Sequence, residues 1–215
     1  MVRRSIMLTG GEELKGLVKY DNKNGVLSFQ DGSDSRVFTA VRIVAFEFFD
    51  ESLMIQRVFY SFDYEDPQTN VERPLFFEVL KQYKTFAVLS KADQIDLEER
   101  TDYVGGNSVA GAPSPMYSTR TVISQTETIY LMKSTGEIKP YFKIIKEEDG
   151  EKPFVFFGTD TETKNKMIDR DLLEEFISPV EHEKLRQYAL AHDLKFRKKA
   201  DFLKILDYYD QIVEK

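Results

Sequence analysis

The residues able to do chemistry in this chain are few and poorly spaced for it. The two histidines, His182 and His192, lie ten positions apart in a stretch with helical period, and about 100° per residue turns them onto different faces. His182-Glu183 opens a zinc-protease pattern, but Arg186 stands where the second histidine belongs. Both histidines are therefore read as solvated surface residues. There is no cysteine, which excludes thiolate nucleophiles, disulfides, zinc–cysteine sites and iron–sulfur clusters. Asp21-Asn22-Lys23-Asn24-Gly25 lacks the ligand spacing of a calcium loop. Gly106-Asn107-Ser108-Val109-Ala110-Gly111 misses the nucleophile-elbow spacing by one residue and lies in a loop-like stretch, not between a strand and a helix. No glycine-rich turn opens a helix with Lys-Ser or Lys-Thr, so phosphate cradling is unsupported. The reading is no metal, no cofactor and no catalytic residue.

Carboxylates are abundant, 37 in all, and sequence alone measures no separation between any two. Glu47, inside Ala45-Phe46-Glu47-Phe48-Phe49, is the carboxylate most embedded in apolar sequence, and strand alternation turns it outward. The binding candidates are Tyr103, Asn107, Tyr117 and Arg120, because aromatic and arginine side chains on a loop are what recognition surfaces favour. They sit in a stretch over 91–121 that breaks the strand pattern and is dense in Gly, Ser and Pro from Gly105 to Pro115.

The elements that would position these residues change period along the chain. With 215 residues, 41% hydrophobic and 31% charged, the composition is that of a globular domain able to bury its own core. Seventeen Phe and eleven Tyr favour strands, where rings pack on a pleated surface. Residues 5–90 read as about eight strands. They begin with Ser5–Leu8, Leu14–Tyr20 in alternation with Lys15, Leu17 and Lys19, Val26–Phe29 and Arg36–Phe38 around an Asp31-Gly32 turn. Val41–Phe49, Leu53–Tyr64, Pro74–Lys81 and Thr85–Ser90 follow. Strands resume at Thr126–Met132, turn through Ser134-Thr135-Gly136-Glu137, and continue as Ile138–Ile145 and, after a polar turn over Glu147–Lys152, Phe154–Phe157.

Beyond that point the apolar spacing becomes helical. Asp169 can cap a short helix carrying Leu172, Leu173, Phe176 and Ile177. Ser178-Pro179-Val180-Glu181 is a capping box with proline at the first helical position. Phe202, Ile205, Leu206, Tyr209, Ile212 and Val213 form an apolar stripe that must pack on something, and the sheet is the obvious partner. The one basic run, Lys195, Arg197, Lys198 and Lys199, is flanked by Asp193, Asp201 and Asp207. The net charge is −7, so a nucleic-acid partner is not expected. No apolar run approaches the ~20 residues of a membrane helix, and Met1–Gly10 has two cations but no apolar stretch of signal-peptide length.

Several short motifs resemble a family of uncharacterised β-rich envelope proteins common in Bacteroidota. Leu8-Thr9-Gly10-Gly11-Glu12-Glu13-Leu14-Lys15-Gly16-Leu17-Val18-Lys19-Tyr20 is similar to their opening G-D-x-hydrophobic-K-G-x-I-x-Y. Phe76-Phe77-Glu78-Val79-Leu80, Ile129–Met132 before Ser134–Glu137, and Ala200–Tyr209 resemble their later hairpins and terminal helix. The resemblance implies an exported protein with no assigned activity and so no catalytic residues to carry over. The first strands are also similar to an Sm-like barrel at Gly16, Asp21 and Val26-Leu27, without its second motif and with the wrong charge for RNA.

The sequence therefore predicts a mainly β fold, an antiparallel barrel or sandwich meander over 1–165 with a flexible insertion at about 91–121, and a helical segment over 166–215 packed on it. The leading function is a non-enzymatic binding or structural module of the bacterial cell envelope, recognising a protein or glycan partner through strand edges or the 103–120 stretch. A carboxylate-based hydrolase of an envelope glycan and a cytosolic protein-interaction module using the terminal helices are the alternatives. The expected location is the envelope or periplasm if a signal peptide precedes the chain, and the cytoplasm otherwise.

Overall fold

Strand-forming runs separated mostly by short turns pair chiefly with their sequence neighbours, and a long meander results. The computed structural model describes the backbone of residues 4–22, 24–51, 54–66, 69–104, 116–147, 150–154 and 172–213, and the side chains of these except residue 4, 93–104, 116–125 and 145–154. Its strands are β1 (Arg4–Leu8), β2 (Glu13–Asp21), β3 (Val26–Asp31), β4 (Asp34–Thr39), β5 (Ile43–Asp50), β6 (Ile55–Asp66), β7 (Val71–Gln82), β8 (Phe86–Val104), β9 (Met116–Lys133), β10 (Ile138–Glu147) and β11 (Gly150–Phe154). A 3₁₀ turn at Leu172–Glu175 and helices α1 (Pro179–Ala191) and α2 (Lys199–Val213) follow.

All eleven strands form one antiparallel sheet in the order β11-β10-β9-β8-β7-β6-β5-β1-β2-β3-β4. The expected barrel does not close, because β11 and β4 end the sheet at opposite sides. The single departure from sequential pairing is β1, which inserts between β2 and β5. The β3–β4 turn uses Gly32 at φ +57°, a conformation costly for residues with a Cβ. Gly16 serves packing instead: a Cβ there would stand 2.6 Å from the Gln30 carbonyl oxygen and 2.7 Å from the Phe29 ring.

Alternation along the strands builds three apolar clusters. One face of β8, β9 and β10 presents Phe86, Val88, Ile129, Leu131, Phe142 and Ile144 to the helices, which bring Leu173, Leu185, Phe202, Ile205 and Leu206. Burying each of these side chains stabilises the fold by about 1.5–3 kcal/mol, so the helices complete a core rather than hang from it. A second cluster, with Ile6, Val18, Leu27, Phe29, Ile43, Phe46, Phe59 and Phe76, fills the N-terminal half of the sheet. The third lies on the opposite face of β7, β8 and β9, where Phe77, Leu89 and Tyr130 gather with Tyr64 of β6. Tyr64 and Tyr130 meet at 5.5 Å between ring centroids although two strands separate theirs, which records how strongly the sheet coils.

The helix signals appear in the structure as read. Ser178 Oγ accepts from the Glu181 amide at 3.3 Å, and Glu181 Oε2 accepts from the Ser178 amide at 2.8 Å. Of the helix expected to carry Leu172, Leu173, Phe176 and Ile177, the described residues form a 3₁₀ turn at Leu172–Glu175, and its expected cap Asp169 lies outside the described residues. Residues 40–42, read as the start of a strand, form another 3₁₀ turn before β5. The β10–β11 hairpin is tighter than the expected turn over 147–152, because Glu147 already pairs with Gly150 and Phe154 with Lys143. At Pro140, which has no amide hydrogen to donate, the β9–β10 register shifts by one residue so that Tyr141 bulges out.

The largest departure concerns the expected loop over 91–121. β8 runs on to Val104 and β9 begins at Met116, paired residue by residue. The Gly, Ser and Pro residues are concentrated in 105–115. The flanks hold strand formers instead, Ile95, Leu97, Thr101, Tyr103 and Val104 on one side and Tyr117, Thr119, Thr121, Val122 and Ile123 on the other.

Candidate functional site

Among the described residues, buried carboxylates of the sheet are held by cations at two places, and both are built by elements far apart in sequence. Arg57 of β6 lies opposite Phe48 of β5. Its Nε and Nη2 donate to Glu78 Oε1 and Oε2 at 2.8 and 2.7 Å, a bidentate pair, and its Nη1 reaches Asp50 Oδ2 at 3.4 Å. The guanidinium rests 5.7 Å from the Phe48 ring centroid and 5.2 Å from that of Phe59. The hydrogen bonds to Glu78 hold the Arg57 pKa above its ordinary value against the opposing cost of burial. Beside them Tyr20 packs on Phe46, Phe59 and Phe76 at 5.2, 5.2 and 5.7 Å, and burial pushes its hydroxyl pKa up to about 12.

A cleft of about 520 Å³ opens next to this group, lined by Val18, Lys19 and Tyr20 of β2 and by Phe48, Phe49, Asp50 and Glu51 at the end of β5. The cleft thus combines half-buried aromatic surface with one cation and two carboxylates.

The second charged site joins sheet to helix. Ser90 of β8 donates to Glu127 Oε1 at 2.5 Å, and Lys199 of the first turn of α2 pairs with the same oxygen. Ser90 is also opposite Glu78 in the β7–β8 ladder, so both sites lie on the sheet face that carries the helices. Glu78 and Glu127 are 7% and 5% exposed. Each accepts from a cation, Glu78 from Arg57 and Glu127 from Lys199. Among the described residues no group of three or more His, Asp or Glu could hold a metal ion.

The sequence-derived binding residues fall on the long β8–β9 hairpin. Tyr103 and Tyr117 are directly opposite each other in the ladder, and Arg120 is opposite Arg100. Asn107 lies outside the described residues. Glu47 is on the opposite face from buried Phe46 and is half-buried. Part of the basic run is paired: Lys199 with Glu127 and Lys198 with Asp201 at 3.6 Å, while the Lys195 backbone amide donates to Asp201 at 3.3 Å. His192 is exposed as expected, but His182 is not. It is 5% exposed, with Nδ1 3.5 Å from Glu174 and its ring against Phe196, because the 3₁₀ turn and the α1–α2 connection fold over the start of α1.

Arg57, Glu78, Ser90, Glu127 and Lys199 were not legible as a group. The one available signal was Glu78 itself, a carboxylate among Phe76, Phe77, Val79 and Leu80. A charge at an inward strand position demands a partner. Comparison of the chain with protein-family models, curated proteins and solved structures finds no match.

Proposed function

We propose that this protein is a non-enzymatic binding module of the cell envelope that takes hold of a partner protein along the β8–β9 hairpin. The observation that carries the reading is the register of that hairpin. From Asp96 opposite Ser124 to Val104 opposite Met116 the two strands pair with each other, while the described pairing of β7 to β8 ends at Ser90 and that of β10 to β9 at Gln125. At about 3.3 Å per residue this two-stranded ribbon extends roughly 30 Å beyond the last described third strand. Strand edges offer backbone donors and acceptors to an incoming extended segment, the chemistry of β-augmentation. The two edges differ. Residues 96–102 of β8 carry Asp96, Glu98, Glu99, Arg100 and Asp102, whereas 116–124 of β9 carry Arg120 as their one charge among Met, Tyr, Ser, Thr, Val and Ile. Charges guard an edge against pairing, so β9 is the edge that receives the partner. The envelope location rests on the family resemblance of the hairpin and terminal-helix motifs.

Photo-crosslinkers placed at Tyr117 and Arg120, with Leu190 of α1 as the control, test this in the native host. Capture of one envelope protein from the ribbon positions alone is the expected result, and the purified pair should show slowed amide exchange over 116–124. Equal capture from Leu190, or unchanged exchange, would refute the binding role. Fractionation that returns the protein with the cytosol would refute the location.

A further inference from the structure

We propose that two copies of this chain pair through their β4 edges, strand against strand about a two-fold axis at Val37, a role separate from that of the ribbon. β4 ends the sheet, so one side of its backbone has no neighbouring strand among the described residues. Both turns that bound it, at 31–34 and 39–43, are described. The β3–β4 hairpin closes on Asp31 opposite Asp34 through Gly32 and Ser33. In a hairpin of this kind the closing residues bond each other, and alternate residues bond across the ladder. Asp34, Arg36 and Phe38 therefore direct their backbone groups to β3, while Ser35, Val37 and Thr39 direct theirs outward to the free edge.

The side chains of this edge select a second copy as the occupant. Strand edges are commonly guarded by charge. The charges of β4, Asp34 and Arg36, have opposite sign and satisfy each other, with Arg36 Nε and Nη2 donating to Asp34 Oδ2 at 2.9 and 2.7 Å. The edge therefore carries no net charge to repel an identical one. Asp34 and Arg36 share a face with Phe38, which packs on the N-terminal apolar cluster. The other face of β4 carries the uncharged Ser35, Val37 and Thr39. Val37 is 65% exposed, more than any other large hydrophobic residue in a strand among the described residues. Residues standing opposite each other must share a face, so the two-fold axis passes through a residue of β4. An axis at Arg36 sets Arg36 against its own symmetry mate, a like-charge contact. An axis at Ser35 brings Val37, Phe38 and Thr39 opposite the β3–β4 turn rather than a strand. An axis at Val37 sets Val37 on Val37, Ser35 opposite Thr39, and the Arg36 guanidinium opposite the Phe38 ring. That register pairs every outward residue of both edges and places no like charges together.

Sedimentation velocity on the full chain tests this. β4 is six residues long and the interface is small, so the association is weak and reversible. The native chain should pass from monomer toward dimer as its concentration rises to about 0.5 mM. Val37→Lys and Val37→Glu each place like charges opposite each other and should each weaken the dimer about tenfold. An equimolar mixture of the two variants should restore it as a heterodimer. Val180→Lys, at an equally exposed valine of α1, should leave it unchanged. Because Val37 is exposed, both variants should melt as the dilute native monomer does, and recovery on mixing separates lost pairing from lost folding. A chain that stays monomeric at every concentration, a dimer indifferent to Val37→Lys, or variants that stay monomeric when mixed would overturn the proposal.

Discussion

Replacing Arg57 by leucine isolates the energetics on which the N-terminal half of the sheet depends. The substitution removes both hydrogen bonds to Glu78, at 2.8 and 2.7 Å, and leaves a carboxylate whose side chain is 9% exposed without its cation. Breaking a buried pair in this way costs about 3–5 kcal/mol. The Arg57 side chain is 27% exposed, so water can reach the vacated position and the cost falls toward the low end of that range. Loss of the guanidinium from the Phe48 and Phe59 rings adds about 0.5–1 kcal/mol, partly returned by the apolar contacts of leucine. The net expectation is about 3 kcal/mol. For a domain of this size each kcal/mol lowers Tm by roughly 2–4 °C, so calorimetry should record a fall of about 6–12 °C. The double variant Arg57→Leu/Glu78→Leu removes the charge together with its partner and places apolar groups beside Phe48, Phe59 and Phe76. It should recover to within about 1 kcal/mol of the native protein, since apolar replacement of a buried pair is often neutral. The reasoning fails if the single variant melts within a degree or two of the native protein. It also fails if the double variant is no more stable than the single one.

Gly16→Ala should lower stability by about 1–3 kcal/mol in urea titration, because the added methyl would meet the Gln30 carbonyl oxygen at 2.6 Å and backbone cannot step aside cheaply. Phe202, 1% exposed, joins α2 to Phe142 and Tyr141 of β10; Phe202→Ala should cost about 3–5 kcal/mol. Because the helices share a core with the sheet, sheet and helix signals should then unfold together at a lower denaturant concentration. Separate transitions would show that the helices are dispensable. The hydroxyls of Tyr20 and Tyr209 ionise near pH 12 in the folded protein rather than near 10.0, in both cases chiefly because of burial. Their contribution to stability is full below the unfolded pKa and is lost as pH rises through the folded one. Circular dichroism should therefore show unfolding setting in between about pH 10 and 12, together with phenolate absorbance. A native spectrum retained with all tyrosines ionised would contradict their burial.

Much of the architecture was local and therefore legible. The alternation of Leu14, Gly16, Val18 and Tyr20 marked β2, Asp31-Gly32 marked a hairpin, and Ser178 with Glu181 marked the start of α1, because each signal is complete within a few residues. The 91–121 stretch misled because the eight Gly, Ser, Asn and Pro residues within 105–115 dominated their strand-forming flanks. His182 misled because its burial is imposed by the Leu172–Glu175 turn and Phe196, neither of which its own helical face announces.

What the sequence determined by itself was the kind and number of elements, the faces they bury, and the absence of cysteine chemistry. Side-chain period and turn composition act over a handful of residues and need no knowledge of the rest of the chain. Only the tertiary structure decided that the sheet stays open and that β1 inserts between β2 and β5. It alone brought Arg57 to Glu78 across 21 positions and Lys199 to Glu127 across 72. An inward-facing charge shows in the sequence as a demand for a partner. Which partner answers it depends on strand order and on where the helices dock, and those are settled by the burial of three apolar clusters at once.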